Sequence, residues 1–296
     1  MNKYTVTRRI FQPVLYIFQM YRVWMLNLPS NSREHWNLRI NDVLNCPDIK
    51  FIKPQPNSGK VSNGMITLHN GIRVGKTSYY GYPMLNMLLK SKGIHEPQEE
   101  RVFQEVLKTM PDHAVMVELG SYWSFYSMWF QKEVKSPVCY MVEPSDSCIE
   151  SGKTNMKINS MTGTFIQSFV CNRSYLNEQG ERFISMDDLV KEYQIEFIDI
   201  LHSDIQGYEL EMLEGGATLF KEERVGYIFI STHSNELHEK CVQFLRSYNF
   251  KIIANADLND TYSFDGLIVG RAPYYSGIDE IEISLKTKEH AKNRIE

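Results

Sequence analysis

The chain has no Cys-x-x-Cys pair, and its five cysteines (Cys46, Cys139, Cys148, Cys171, Cys241) are scattered and odd in number. That argues against a disulfide framework or a common zinc spacing and fits reduced thiols in a cytoplasmic protein. No apolar run approaches the roughly 20 residues needed to span a bilayer. Also absent are a Gly-x-Gly-x-x-Gly fingerprint, a Tyr-x-x-x-Lys pair and an Asp-x-Asp tripeptide. The first two would point to a dinucleotide enzyme, the third to a transferase holding a nucleotide sugar through a metal. Repeats and low-complexity tracts are missing, and a net charge of −4 offers no basic surplus for nucleic acid.

What is there divides into three parts. Residues 1–95 form an accessory segment without regular alternation, 96–275 a domain that alternates, and 276–296 a polar tail. Up to residue 33 the chain carries Lys3, Arg8, Arg9, Arg22 and Arg33 among aromatic side chains and no acid. A helix there could lie on an anionic membrane surface, or pack on the body or on a second subunit. Over 65–74, two alternating runs joined by Asn70-Gly71 predict a β-hairpin with a two-residue turn. The following Gly75-Lys76-Thr77 is not a phosphate loop, because Asn70 stands where the first glycine is needed.

From residue 96 the pattern predicts strands over 114–118, 138–142, 164–169, 197–202, 226–231, 251–254 and 264–269. Helices fall over 99–108, 123–132, 147–159, 186–193, 208–220 and 235–248. Such alternation implies an α/β fold with a doubly wound, mostly parallel sheet. The last two strands have only a polar loop between them, so they should pair antiparallel.

Ligands of such a sheet sit beyond the carboxyl ends of its strands. The first strand ends Val117-Glu118-Leu119-Gly120-Ser121-Tyr122, an acid followed by a glycine turn into a helix. The second ends Val142-Glu143-Pro144, where a carboxylate can accept hydrogen bonds from both hydroxyls of a ribose. Tyr122 and Phe125 fill the places of the second and third fingerprint glycines and leave little room for a pyrophosphate. A nucleoside cofactor without pyrophosphate fits better, and S-adenosylmethionine is the obvious one.

These residues resemble the FkbM-type methyltransferases over roughly 96–270. The resemblance rests on Val117-Glu118-Leu119-Gly120 leading into Tyr126-Ser127, on Val142-Glu143-Pro144 with Asn155, and on Ser185-Met186-Asp187-Asp188-Leu189. Most specific is Ile198-Asp199-Ile200-Leu201-His202-Ser203-Asp204-Ile205-Gln206-Gly207-Tyr208-Glu209. It implies a class I, Rossmann-like, seven-stranded domain ending in an antiparallel hairpin. It also implies S-adenosyl-L-methionine as cofactor, with Glu118 and Gly120 against its methionine end and Glu143 on its ribose. Ser121, Tyr122, Pro144, Ser168 and Asp204 complete the expected cofactor set. Two positions depart from the family: its usual loop glycine is Ser124, and its usual glutamate before Gly207 is Gln206.

A second cluster follows from strand ends four and five: His202 and Asp204 on one, His233 on the other. It reads as a base (His233, assisted by Asp204), as ligands positioning a divalent metal, or as local structure. Tyr79-Tyr80-Gly81-Tyr82 and Asn259-Asp260-Thr261-Tyr262 would flank the mouth, either stacking on a sugar or covering the core. The expected acceptor is a hydroxyl on a carbohydrate or secondary metabolite. A nucleotide-sugar transferase and a non-catalytic binding module remain as alternatives.

Overall fold

A computed structural model describes residues 33–287. The helix expected before residue 33, with its membrane or core face, falls outside these residues. The accessory part runs α1 (Arg33–Asn45), a 3-10 turn (Pro47–Phe51), β1 (Val61–Ser62), β2 (Met65–Thr67), β3 (Arg73–Gly75) and α2 (Gly81–Lys90). The body begins α3 (Pro97–Leu107), β4 (Val115–Leu119), α4 (Phe125–Glu133), β5 (Val138–Val142), α5 (Asp146–Ile158) and β6 (Thr164–Ile166). A small sheet of β7 (Phe169–Val170), β8 (Tyr175–Leu176) and β9 (Arg182–Ile184) leads to α6 (Met186–Glu192). The chain closes with β10 (Ile198–Ser203), α7 (Glu209–Glu214), α8 (Ala217–Lys221), β11 (Val225–Thr232), α9 (Asn235–Ser247), β12 (Lys251–Ala256) and β13 (Gly266–Arg271).

The main sheet has seven strands in the order β12-β13-β11-β10-β4-β5-β6. Five, from β11 to β6, pair in parallel, and β12 runs in the same direction; β13 inserts antiparallel between β11 and β12, which gives the expected hairpin. The chain starts at β4, winds outward to β6 and returns to β10, so its direction reverses between β4 and β10. That switch point opens a crevice at their carboxyl ends. Helices cover both faces of the central strands, and every residue of β10 and β11 is buried, the polar ones at their ends included. Side chains alternate between faces, so Ile200, Tyr227 and Phe229 join one core while Leu201, Ile228 and Ile230 join the other.

Several boundaries differ from the sequence expectation. The β2–β3 turn has three residues, not two: Leu68 N donates to Ile72 O, and only Gly71 takes positive φ, at 82°. Asn70 instead accepts from Ile72 N through Oδ1 at 3.1 Å. The helix over 208–220 is broken at Gly215-Gly216, where a Cβ on Gly215 would overlap the Cys171 carbonyl oxygen. The third strand stops at Ile166, and Phe169 pairs with Phe183 in the small sheet instead. Residues 276–287, expected as part of a polar tail, pack on the body. Ile283 is buried there, and Ile281 N donates to Ile253 O.

The accessory part shares the body's core. Trp36, Ile40 and Val43, one helical face of α1, pack in the same cluster as Ile66, Phe103 and Trp129. A polar tie reinforces it. Glu100, fully buried on α3, lies 3.0 Å from His69 Nε2 of the hairpin turn and 2.6 Å from His95 Nδ1. Its Oε1 also accepts the amides of His95 and Glu96 at 2.8 and 3.0 Å, satisfying donors at the helix start. Burial alone would raise the Glu100 pKa, but the charges and hydrogen bonds of His69 and His95 hold it well below the carboxylate range.

Removing one partner of such a buried charge cluster leaves the others uncompensated, so Glu100→Ala should cost about 3–5 kcal/mol at neutral pH. Urea unfolding followed by circular dichroism measures it. Because the folded pKa lies below the ordinary 4.5, Glu100's contribution is present above that pH and lost as pH falls. The deficit should therefore shrink below pH 4.5; a constant deficit would contradict the assignment.

Candidate active site

The carboxyl ends of β4, β5 and β10 open on a cavity of about 610 Å³. Gly120 makes the turn out of β4 with φ 71°, and a Cβ there would overlap the carbonyl oxygen of Asp204. The strand ends are stitched by Asp204 N to Leu119 O (3.0 Å) and by Gly120 N and Ser121 N to Val142 O (2.9 and 3.1 Å). Only glycine supplies both the conformation and the clearance.

Glu143 is 7% exposed and is fixed by two backbone donors: Ser145 N to Oε1 at 3.0 Å and Tyr122 N to Oε2 at 3.2 Å. Burial raises its pKa, and each oxygen keeps a further lone pair. Glu118 is buried in register beside His202 on β10 and accepts Ser127 N at 3.1 Å. Burial raises its pKa as well.

The expected cofactor residues converge. Glu118, Gly120, Ser121 and Tyr122 line the cavity from β4 and its loop; Glu143 and Pro144 line it from β5. Ser168 reaches it from the bend after β6, and His202 and Asp204 from β10. Of the two expected flanking segments, Tyr79 and Tyr80 line the cavity, whereas Tyr262 is buried, with its amide on Gln98 Oε1 at 2.7 Å.

Of the two family departures, only Gln206 has a local explanation. Ser124 has φ 61°, a left-handed conformation that favours the glycine usual there. Gln206 lines the cavity, also left-handed at φ 58°, and its Nε2 donates to Asp204 Oδ1 at 3.0 Å. An amide in that place supports Asp204 without adding charge.

His233, expected as the base, lies back from the cavity. Its ring sits among three carboxylates. Nδ1 is 3.0 Å from Glu209, while Nε2 is 3.3 Å from Asp204 and 3.4 Å from Asp265. Burial alone would lower its pKa, but contacts with Asp204 and Glu209 and the charge of Asp265 push it up to about 11. An imidazolium has no free lone pair for a proton. His233 instead anchors Asp204, whose carboxyl it holds below the usual range against the effect of burial.

Sequence reasoning missed the acidic start of α3, His95-Glu96-Pro97-Gln98-Glu99-Glu100, of which His95 and Glu96 line the cavity. Pro97 at the first helical position beside three acids was the available signal. Glu99 accepts His202 Nε2 at 2.7 Å and Ser231 Oγ at 3.3 Å. Glu96 accepts Tyr126 Oη at 2.9 Å and lies 3.3 Å from His95 Nε2. Among the described residues, no group of three or more His, Cys, Asp or Glu side chains is arranged to hold a metal ion.

A nucleoside fits this cradle. Glu143 has lone pairs free for a ribose diol, and Gly120 lets a ligand approach the backbone. Two atoms of cavity-lining residues, Ser121 Oγ and His202 Nδ1, are buried without a partner among the described residues. Buried polar atoms normally have one. Acids on strand ends around a cationic sulfur suit S-adenosylmethionine in particular.

Strand order, reversed hairpin and cradle define a class I methyltransferase that uses S-adenosylmethionine. The chain belongs to the FkbM methyltransferase family: residues 51–252 match the methyltransferase FkbM domain. The match begins upstream of residue 96 and takes in the hairpin and Tyr79-Tyr80. No curated protein matches the chain. Among solved structures it resembles a precorrin-6y C5,15-methyltransferase from Geobacter metallireducens, at 13% identity and TM-score 0.42, over 60% of this chain and 90% of that one. It also resembles M. capricolum TrmK in complex with S-adenosyl-homocysteine, at 14% identity and TM-score 0.41, over 61% and 71%. Both likenesses are distant, and the family assignment rests on the domain match.

Glu143→Ala should weaken S-adenosylhomocysteine binding by about 1.5–3 kcal/mol, the worth of hydrogen bonds to a charged group. Calorimetry reads this directly. Gly120→Ala should abolish binding or folding, because its Cβ has no space. Unchanged affinity in Glu143→Ala would remove the ribose assignment.

Proposed function

We propose that the protein transfers the methyl group of S-adenosylmethionine to a hydroxyl of a carbohydrate or secondary metabolite. One observation carries this reading. The β10 side of the cavity combines the Glu96 and Asp204 carboxylates with the rings of Tyr79 and Tyr80. Carboxylates accept hydrogen bonds from hydroxyls, and aromatic faces suit the apolar face of a sugar. A polyanionic substrate would meet an acidic chain, net −4, at an acidic site.

The bound cofactor supplies an electrophilic methyl group on a positively charged sulfur. Glu143 holds the ribose, and the Gly120 turn admits the methionine end beside Ser121 and Tyr122. Asp204, anchored by His233 and Gln206, accepts a hydrogen bond from the acceptor and orients it. His202, its Nε2 held by Glu99, belongs to the same wall as a positioning group. The apolar and aromatic lining keeps competing water from the reacting centre.

A panel of sugars, polyols, amines and RNA, read by release of S-adenosylhomocysteine, tests the reading. Turnover is expected with hydroxylated small molecules. Asp204→Asn should lower kcat up to about 10²-fold through misplacement of the acceptor. Methylation of RNA or amines with none of the hydroxyl compounds would overturn the proposal.

A further inference from the structure

We propose that Glu96, from the segment leading into α3, is the proton acceptor of the methyl transfer, a role that rests on the hydroxyl reading above. Its carboxylate lines the same cavity as Gly120, Glu143 and Asp204, although it belongs to none of the strand ends that form the cofactor cradle. Oε2 is occupied by Tyr126 Oη and His95 Nε2. Oε1 lies 3.9 Å from Arg39 Nη2, beyond hydrogen-bond reach. One oxygen is thus available to a ligand.

The other candidates on this wall are poorer acceptors. Asp204 is held below the usual carboxylate range by His233 and is a weak base. The pKa values of His202 and His95 are both raised, against burial, by adjacent glutamates, which favour the protonated rings. Glu96 differs because burial dominates over its partners. The facing groups are Arg39 on α1, Tyr79 before α2, His95 and Glu99 beside it, Tyr126 on α4 and Asp204 after β10. Burial, Glu99 and Asp204 raise it, His95 and Arg39 lower it, and it settles at about 7. A base near the working pH is the most effective.

In the step, the acceptor oxygen forms its bond to the methyl carbon as the carbon–sulfur bond breaks. The electron pair of that bond stays on sulfur, which becomes a neutral thioether. The hydroxyl proton passes to Glu96, which becomes a neutral carboxylic acid. No metal or redox partner is required.

The same geometry gives a test that needs no acceptor. A sulfonium in this cavity favours the ionised form of a nearby carboxyl, whereas a thioether does not. At pH 7, binding of S-adenosylmethionine should expel up to about half a proton more than binding of S-adenosylhomocysteine, given a group at about 7. Calorimetry of the full chain with both compounds, in phosphate and in Tris, counts the protons. Comparing the two ligands on unaltered protein keeps the result independent of whether any variant folds. Glu96→Gln should remove the difference and Glu96→Asp should retain one. Equal proton counts for the two ligands, or a difference that persists in Glu96→Gln, overturn the proposal. With an acceptor from the panel, Glu96→Gln should lower kcat about 10²–10⁴-fold and flatten the rise of rate with pH through 7, leaving KM within about threefold. Undiminished kcat would also overturn it. Failure of either arm leaves hydroxyl methylation standing. Failure of the panel overturns hydroxyl methylation and leaves the proton count measurable.

Discussion

The carboxyl ends of β4 and β10 approach so closely that Asp204 N donates to Leu119 O and the next residue, Gly120, has no space for a Cβ against the Asp204 carbonyl. The cavity and the placing of its acids depend on this contact. Because β4 also pairs with β5, the same turn takes Val142 O through two amides and so fixes the loop above Glu143. Tyr122 N then holds the Glu143 carboxylate in place. A single glycine thus sets the spacing between Glu143 and Asp204.

Around that contact the protein buries an unusual number of charges. Glu96, Glu99, Glu100, Glu118 and Glu209 all have little or no exposure, and Arg39, His69, His95 and His202 lie among them. Isolated buried carboxylates would be costly, and most of these are tied to a histidine or an amide. The ties link elements distant in sequence: hairpin to α3 through Glu100, and α3 to β10 through Glu99. The accessory segment therefore reaches the cavity, where Tyr79 and Tyr80 line it, and its Arg39 lies behind Glu96. Carboxylates left short of full compensation are suited to a cationic sulfur.

Much of the fold is legible from the sequence because the central strands carry apolar runs at regular spacing, with helices between them. The strand over 138–142 ends where the pattern placed it, and the acids at the ends of β4 and β5 reach the cavity as expected. What pattern alone does not carry is the partner of each polar side chain. His233 looks like a free base at a strand end, yet Glu209 and Asp265, one on a helix and one in the loop before β13, surround it. Glu96 looks like a surface acid at a helix start and is buried by α1 and α4, which pack there only after folding. The Gly215-Gly216 break and the Gly71 turn are similar: each depends on backbone from another segment or on which residue of a turn becomes left-handed.

A structure of the protein with S-adenosylhomocysteine tests the central claim most directly. The account predicts both ribose hydroxyls within about 2.6–3.0 Å of the Glu143 oxygens, the usual hydrogen-bond range. It also predicts the sulfur on the β10 side, toward Asp204 and Glu96. A nucleoside bound with its ribose away from Glu143, or with its adenine in the place of the sulfur, would contradict it.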